Sequence, residues 1–330
     1  MKFEEELLKK LISIDSTYEN EKEVSLYLCD LLEKEGFEVT KIFVNKNRFN
    51  IIAKTGNPKI YLQAHTDTVN PYIPLSEDED YVYGRGACDT KGSISGMVAA
   101  AINSKNDGKR DFGLIFTTGE ETTFDGAIKI IEEKIEIPFV IVGEPTSLQI
   151  VNEHFGILSF KITAQGKSAH SSKPEEGINA IELLLLAIEK INKIEVYPET
   201  ILTLAQINGG VADNIIPGEA FAIYSMRVSP NDAIDYVEKI KAILPQNVRI
   251  ENTLKVASVA TKVPQELSFI KEVRTVKYFT ELSFFQKGVI IGPGDIAYAH
   301  GPDEKLSKKE LSESVKIYSQ IIENFTQKSV

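Results

Sequence analysis

The sequence predicts an α/β protein: a mostly parallel sheet covered by helices, with a smaller α+β domain inserted into it. Two patterns in the 330 residues carry that prediction. Continuous apolar runs of strand length alternate with helical stretches toward both ends of the chain, as in sheets buried on both faces. Between them, over residues 155–261, the strands change to apolar–polar alternation, as in a sheet with one covered face. The expected division is therefore 1–154 with 262–330 as one discontinuous domain, and 155–261 as the insert.

Residues 3–14 and 21–35 place apolar side chains at spacings of three and four, which predicts amphipathic helices. Strands follow at "FEVTKIFV", "FNIIAKTG" and "KIYLQAHTDTV". The small, apolar stretch from Gly92 to Asn103 predicts a well-buried helix. Next come strand 112–118, a helix near 125–134 and strand 138–142. In the insert, "GILSFKITAQG", "ILTLAQING" and "EAFAIYSMRVS" are strands, separated by helices at about 177–193 and 231–244. Beyond residue 262 the pattern predicts a helix, the buried strand "GVIIG" and a C-terminal helix over 307–325.

The chain is 42% hydrophobic and 26% charged, ordinary for a globular protein. Its 37 basic and 48 acidic residues leave a net charge of −11, which argues against nucleic acid or an anionic membrane as partner. Two cysteines, Cys29 and Cys88, are too few for a disulfide framework. The N-terminus has neither the apolar run of a signal peptide nor a membrane span. A cytoplasmic protein is the expectation.

Four histidines are present, and two of them, His65 and His300, follow predicted strands. So do Glu120, Glu121 and Glu144, while Asp89 sits in "GRGACDTKG". Ligands of open α/β sheets bind beyond the carboxyl ends of strands, so one sheet edge should gather these groups. Imidazoles and carboxylates together suit zinc or a similar divalent ion. The charges of two such ions are balanced by Asp89, Glu121, Glu144 and one hydroxide, whereas a single ion leaves the cluster strongly negative. The neighbouring Glu120 and Glu121 then divide the work: one binds metal, the other carries a proton between water and a leaving amine. The "TTG" before them breaks the strand so that both can reach the site.

At these residues the chain resembles the aminoacylase, acetylornithine deacetylase and succinyl-diaminopimelate desuccinylase family of zinc metallopeptidases. The likeness runs through "AHTDTV", "YGRGACDTKG", "TGEE", "VGEPT", "GKSAHSSKPEEGINAI", "NIIPGEA" and "GPGDIAYAHGPDE". It implies a zinc-peptidase catalytic domain with an inserted lid or dimerisation domain. It also implies two divalent metals, zinc or else cobalt or manganese. His65 and Glu144 would hold one, His300 and Glu121 the other, and Asp89 would bridge them through a segment whose Asp89–Thr90 bond is cis. Glu120 would be the general acid/base, and Asp67 would buttress His65. His170 would reach a neighbouring subunit's site and stabilise an oxyanion, so a homodimer is implied. Asn214, Arg227 and the Gly292–Gly294 loop would contact substrate, Arg227 through a carboxylate.

The implied reaction is hydrolysis of an N-acyl amide on an amino acid. Acetylornithine or acetyl-lysine deacetylation fits the motifs best, as does release of lysine or ornithine from an amino-group carrier protein, in lysine or arginine biosynthesis. Succinyl-diaminopimelate desuccinylase, dipeptidase and aminoacylase activities are the alternatives, and an inactive metal-binding relative is the alternative class. A two-metal phosphodiesterase or nuclease is disfavoured by the charge. Three positions depart from the family pattern: Ala64 before the first histidine, Cys88 before the bridging Asp, and Glu281 after Thr280. His154 matches no metal position and is read as a hinge or core residue.

Overall fold

The computed structural model describes residues 2–285 and 287–327. The helices are α1 (Phe3–Ile12), α2 (Lys22–Lys34), α3 (Lys91–Asn106), α4 (Asp125–Glu132), α5 (Ala180–Asn192), α6 (Tyr236–Lys241) and α7 (Lys308–Thr326). The strands begin with β1 (Glu38–Phe43), β2 (Phe49–Thr55), β3 (Ile60–His65), β4 (Ser76–Glu77), β5 (Tyr81–Tyr83), β6 (Phe112–Thr117), β7 (Val140–Val142) and β8 (Ile150–His154). They continue as β9 (Gly156–Gln165), β10 (Ile201–Gly209), β11 (Glu219–Val228), β12 (Val248–Val256), β13 (Val259–Ala260), β14 (Val273–Val276), β15 (Gly288–Ile290) and β16 (Lys305–Ser307). No helix among the described residues is long and apolar enough to cross a membrane.

The chain forms two compact units. One holds the residues up to Asn152, Thr261–Thr275 and those from Thr280 onward; the other holds Glu153–Ala260 and Val276–Phe279. In the first, β6, β3, β7 and β15 run parallel at the centre of the sheet, and β1, β2 and β8 join it antiparallel. Every residue of β3, β6 and β7 is buried, as strands covered on both faces require. Helix α3 is buried along most of its length. Its small side chains are what allow this: a Cβ at Gly96 would stand 2.3 Å from Ser314 Oγ on α7.

The second unit is a four-stranded antiparallel sheet, ordered β10–β11–β9–β12. Alternate residues of β9 and β11 are buried beneath α5, and Phe160 stacks on Tyr224 with ring centroids 5.2 Å apart. Strand β10 is an edge strand, exposed along nearly all its length.

Two expected elements differ. The helix expected over 231–244 is only Tyr236–Lys241, because Asp232 bonds Thr200 and Tyr236 in a turn and Asp235 caps the helix. The helix expected after 262 is absent. Pro264 opens a single 3₁₀ turn, and the β-branched "VRTV" segment pairs with β8 as β14.

Candidate active site

His65 ends β3, Glu120 and Glu121 follow β6, and Glu144 follows β7; these three strands are neighbours in the parallel centre. Asp89 lies on the turn into α3, and the Asp89–Thr90 bond is cis. His300 lies beyond β15 on exposed backbone with φ +62°. All six belong to the first unit.

The side chains converge. His65 Nε2 is 3.0 Å from Asp89 Oδ1 and 3.8 Å from Glu144 Oε1. His300 Nε2 is 3.2 Å from Asp89 Oδ2 and 3.0 Å from Glu121 Oε1. The two oxygens of Asp89 therefore face different imidazoles, and each imidazole has a further glutamate beside it. Ligand atoms of His65, Asp89 and Glu121 lie within 4.8 Å of one another, close enough to share an ion. Nitrogen and carboxylate donors in this number fit zinc or another divalent cation of similar preference.

The charges fit as well. Burial pushes the Glu120 and Glu144 carboxyls well above their ordinary range, and neighbouring acids push them further. Burial and Asp89 likewise raise Glu121. Asp89 is buried too, but hydrogen bonds from His300 and His65 outweigh that and hold it below its usual range. His65 is raised despite burial, chiefly by Asp89, and Asp89 and Glu121 lift His300 to about 10. Of the two carboxylates facing His300, Asp89 is thus shifted down and Glu121 up. Four enclosed acids against two imidazoles is a cluster that bound cations would relieve.

The Asp67 side chain has a different neighbour from the one expected. His65 Nδ1 donates to the Asp67 main-chain carbonyl at 2.9 Å, and the carboxylate is farther, at 3.7 Å. The carboxylate instead accepts the backbone N–H groups of Glu120 (3.1 Å) and Glu121 (3.0 Å). The tautomer of His65 is still fixed, with Nε2 turned to the acids, while Asp67 shapes the turn that presents both glutamates.

Gly292 and Gly294 are buried. A Cβ at Gly292 would stand 2.3 Å from the Glu144 carbonyl, and one at Gly294 would stand 2.7 Å from Cys88 Cβ. Protein, rather than open cleft, accounts for their lack of a side chain. His154 is a core residue, its Nδ1 on the Phe155 carbonyl and its ring edge-on to Phe279.

His170, Asn214 and Arg227 belong to the second unit. His170 is exposed, and its Nδ1 accepts the Ser172 N–H at 3.2 Å, which leaves Nε2 as the donor. Asn214 is exposed, and its carbonyl accepts the Ser171 N–H at 3.0 Å. Nη1 of Arg227 is buried without a hydrogen-bond partner among the described residues. Two buried acids next to the site, Glu281 and Glu304, were not marked as site residues by the sequence reading. The "PDE" end of the His300 motif was the available signal for the second.

The model for peptidase family M20/M25/M40 matches residues 61–324. A probable carboxypeptidase of Aspergillus clavatus is 31% identical over 368 residues, covering 98% of this chain and 88% of that protein. The aminopeptidase PepT of Bacillus cereus has the same fold, with a TM-score of 0.83 at 20% identity over 98% of each chain. So does YXEP of Bacillus subtilis, a dinuclear metal-binding peptidase of family M20, with a TM-score of 0.71 at 14% identity over 97% of this chain and 96% of that one. With a match that spans the parallel strands, both histidines and every acid of the cluster, the chain belongs to peptidase family M20/M25/M40, hydrolases of peptide and related amide bonds.

Proposed function

We propose that the protein is a two-cation hydrolase that frees an amino acid bearing a carboxylate from an acyl or peptidyl group. The observation that carries this reading is Asp89, whose two oxygens each face an imidazole with its own glutamate. His65 and Glu144 would hold one cation, His300 and Glu121 the other, and Asp89 both. Bound there, zinc, cobalt or manganese would lower the pKa of a water and polarise the scissile carbonyl.

Glu120 is enclosed among these groups and makes no ion pair among the described residues, so it is the side chain left to move protons. It takes one from the attacking water and returns it to the leaving nitrogen. Nε2–H of His170, reaching from a second copy of the chain, would meet the developing oxyanion. Arg227, by the family likeness of its segment, would meet a carboxylate on the substrate. N-acetyl-ornithine and N-acetyl-lysine carry one, and so does a peptide C-terminus.

A homodimer is part of the proposal. On the unpaired edge strand β10, Leu204 and Ile207 are exposed, as are Leu185 and Leu186 of α5. A second copy pairing edge to edge across a two-fold axis would cover them. Sedimentation should show two copies, and Leu186→Lys should shift the protein toward monomer; a monomeric parent would remove this part.

After zinc or cobalt loading, assays on acetyl-ornithine, acetyl-lysine, succinyl-diaminopimelate, dipeptides and carrier-linked lysine identify the substrate. On the best of these, Glu120→Gln should retain its cations and lose about 10²–10⁴-fold in kcat. Comparable turnover in that variant would refute the assigned role.

A further inference from the structure

The stretch that carries His300 ends in a carboxylate, Glu304, that the proposed chemistry does not use. Glu304 is 1% exposed. Its Oε2 takes Arg85 Nη1 at 2.7 Å, and its Oε1 lies 3.2 Å from the backbone nitrogens of both Cys88 and Asp89. The same Arg85 Nη1 reaches the Gly301 carbonyl at 3.3 Å, while Gly84 N–H donates to the Glu304 carbonyl at 3.0 Å. Arg85 is itself 2% exposed.

A buried ion pair is seldom the cheapest way to fill space, since desolvation offsets most of its attraction. A carboxylate does something here that an apolar side chain cannot. It accepts two successive N–H groups, which fixes the peptide planes leading into Asp89. Its guanidinium partner meanwhile grips the carbonyl next to His300. His300 lies on no helix or strand, so anchors of this kind are what set its position.

We propose that Glu304, acting with Arg85, is a positioning residue. It ties the segment of Asp89 to the segment of His300, and so sets the 3.2 Å separation of their side chains. This rests on the two-cation reading of the site. Neither residue touches substrate; each acts through the ligands.

The test compares the full-length parent with Glu304→Gln and Arg85→Lys. Each is titrated with cobalt chloride by equilibrium dialysis, with its visible absorption recorded and its kcat and KM measured. Losing an outer partner of a metal ligand costs about 10–100-fold in metal affinity or activity. Glu304→Gln should lose about that much cobalt affinity and kcat, with an altered cobalt spectrum and KM changed by less than about threefold. Arg85→Lys keeps the charge but not the fork and should show a smaller loss in the same direction. Glu304→Gln with the parent's affinity, spectrum and kcat overturns the inference, whatever its melting temperature. If that variant does not fold, Arg85→Lys decides in the same way, and cobalt binding equal to the parent's overturns it. A parent that binds no cobalt sinks the two-cation reading itself, whereas a variant that matches a two-cobalt parent sinks only this inference.

Discussion

Glu281 shows what a single residue can hide. It is fully buried, with Oε2 accepting from Thr117 Oγ1 at 2.6 Å and from Gln63 Nε2, and Oε1 without a hydrogen-bond partner among the described residues. Burial pushes its carboxyl from 4.5 up to about 7. The folded chain therefore keeps a proton that the unfolded chain has already released. The stability this gives is complete below pH 4.5 and is lost as pH rises through about 7. At about 1.4 kcal/mol per pKa unit, a few kcal/mol are involved. Metal-free Glu281→Gln should lose less stability than the parent between about pH 5 and 8 in urea unfolding; parallel curves would contradict this. The sequence marked Glu281 only as a departure from the family pattern. Its depth and its partners Gln63 and Thr117 depend on three distant segments meeting, which no local pattern records. His65, Glu121 and Glu144 could be singled out as candidates because each sits at the end of a buried strand or just beyond it.

At the scale of elements, the turn carrying Glu120 and Glu121 is pinned at both ends by one buried network. Arg48, 3% exposed, bonds Glu21 Oε1 through Nε at 3.0 Å and the Asp125 carboxylate through Nη1 and Nη2 at 2.7 and 3.0 Å. Thr118 Oγ1 donates to the same Glu21 oxygen at 2.6 Å, and Asn50 bonds both Thr118 N–H and the Gly126 carbonyl. Arg48→Met would strand the buried Glu21 charge. Losing one partner of a buried pair costs about 3–5 kcal/mol, and equilibrium unfolding should show a loss toward the low end of that range because Asp125 is partly exposed. A loss under about 1 kcal/mol would show that the network contributes little to stability. Period and length revealed β3, β6, β7 and α3, whose patterns are continuous over whole elements. They failed at β14, whose partner β8 lies more than a hundred residues earlier, and at α6, where side-chain bonds hold the first residues in a turn.

Across the whole molecule, the six groups that would hold cations and move protons share one unit, while His170, Asn214 and Arg227 lie in the other. The change in strand alternation near residue 154 was visible in the sequence, but the assignment of Val276–Phe279 to the second unit was not. Within the cluster the two histidines are unequally sheltered: the His65 and Glu144 side chains are 1% and 8% exposed, whereas the His300 side chain is 54% exposed. Two ions lodged there would not be interchangeable occupants. The one beside His300 should leave first, so a chelator in modest excess should strip the protein in two kinetic phases, with hydrolysis falling away in the faster. Stopped-flow chelation that empties both positions at one rate would mean that the open flank gives solvent no preferential access.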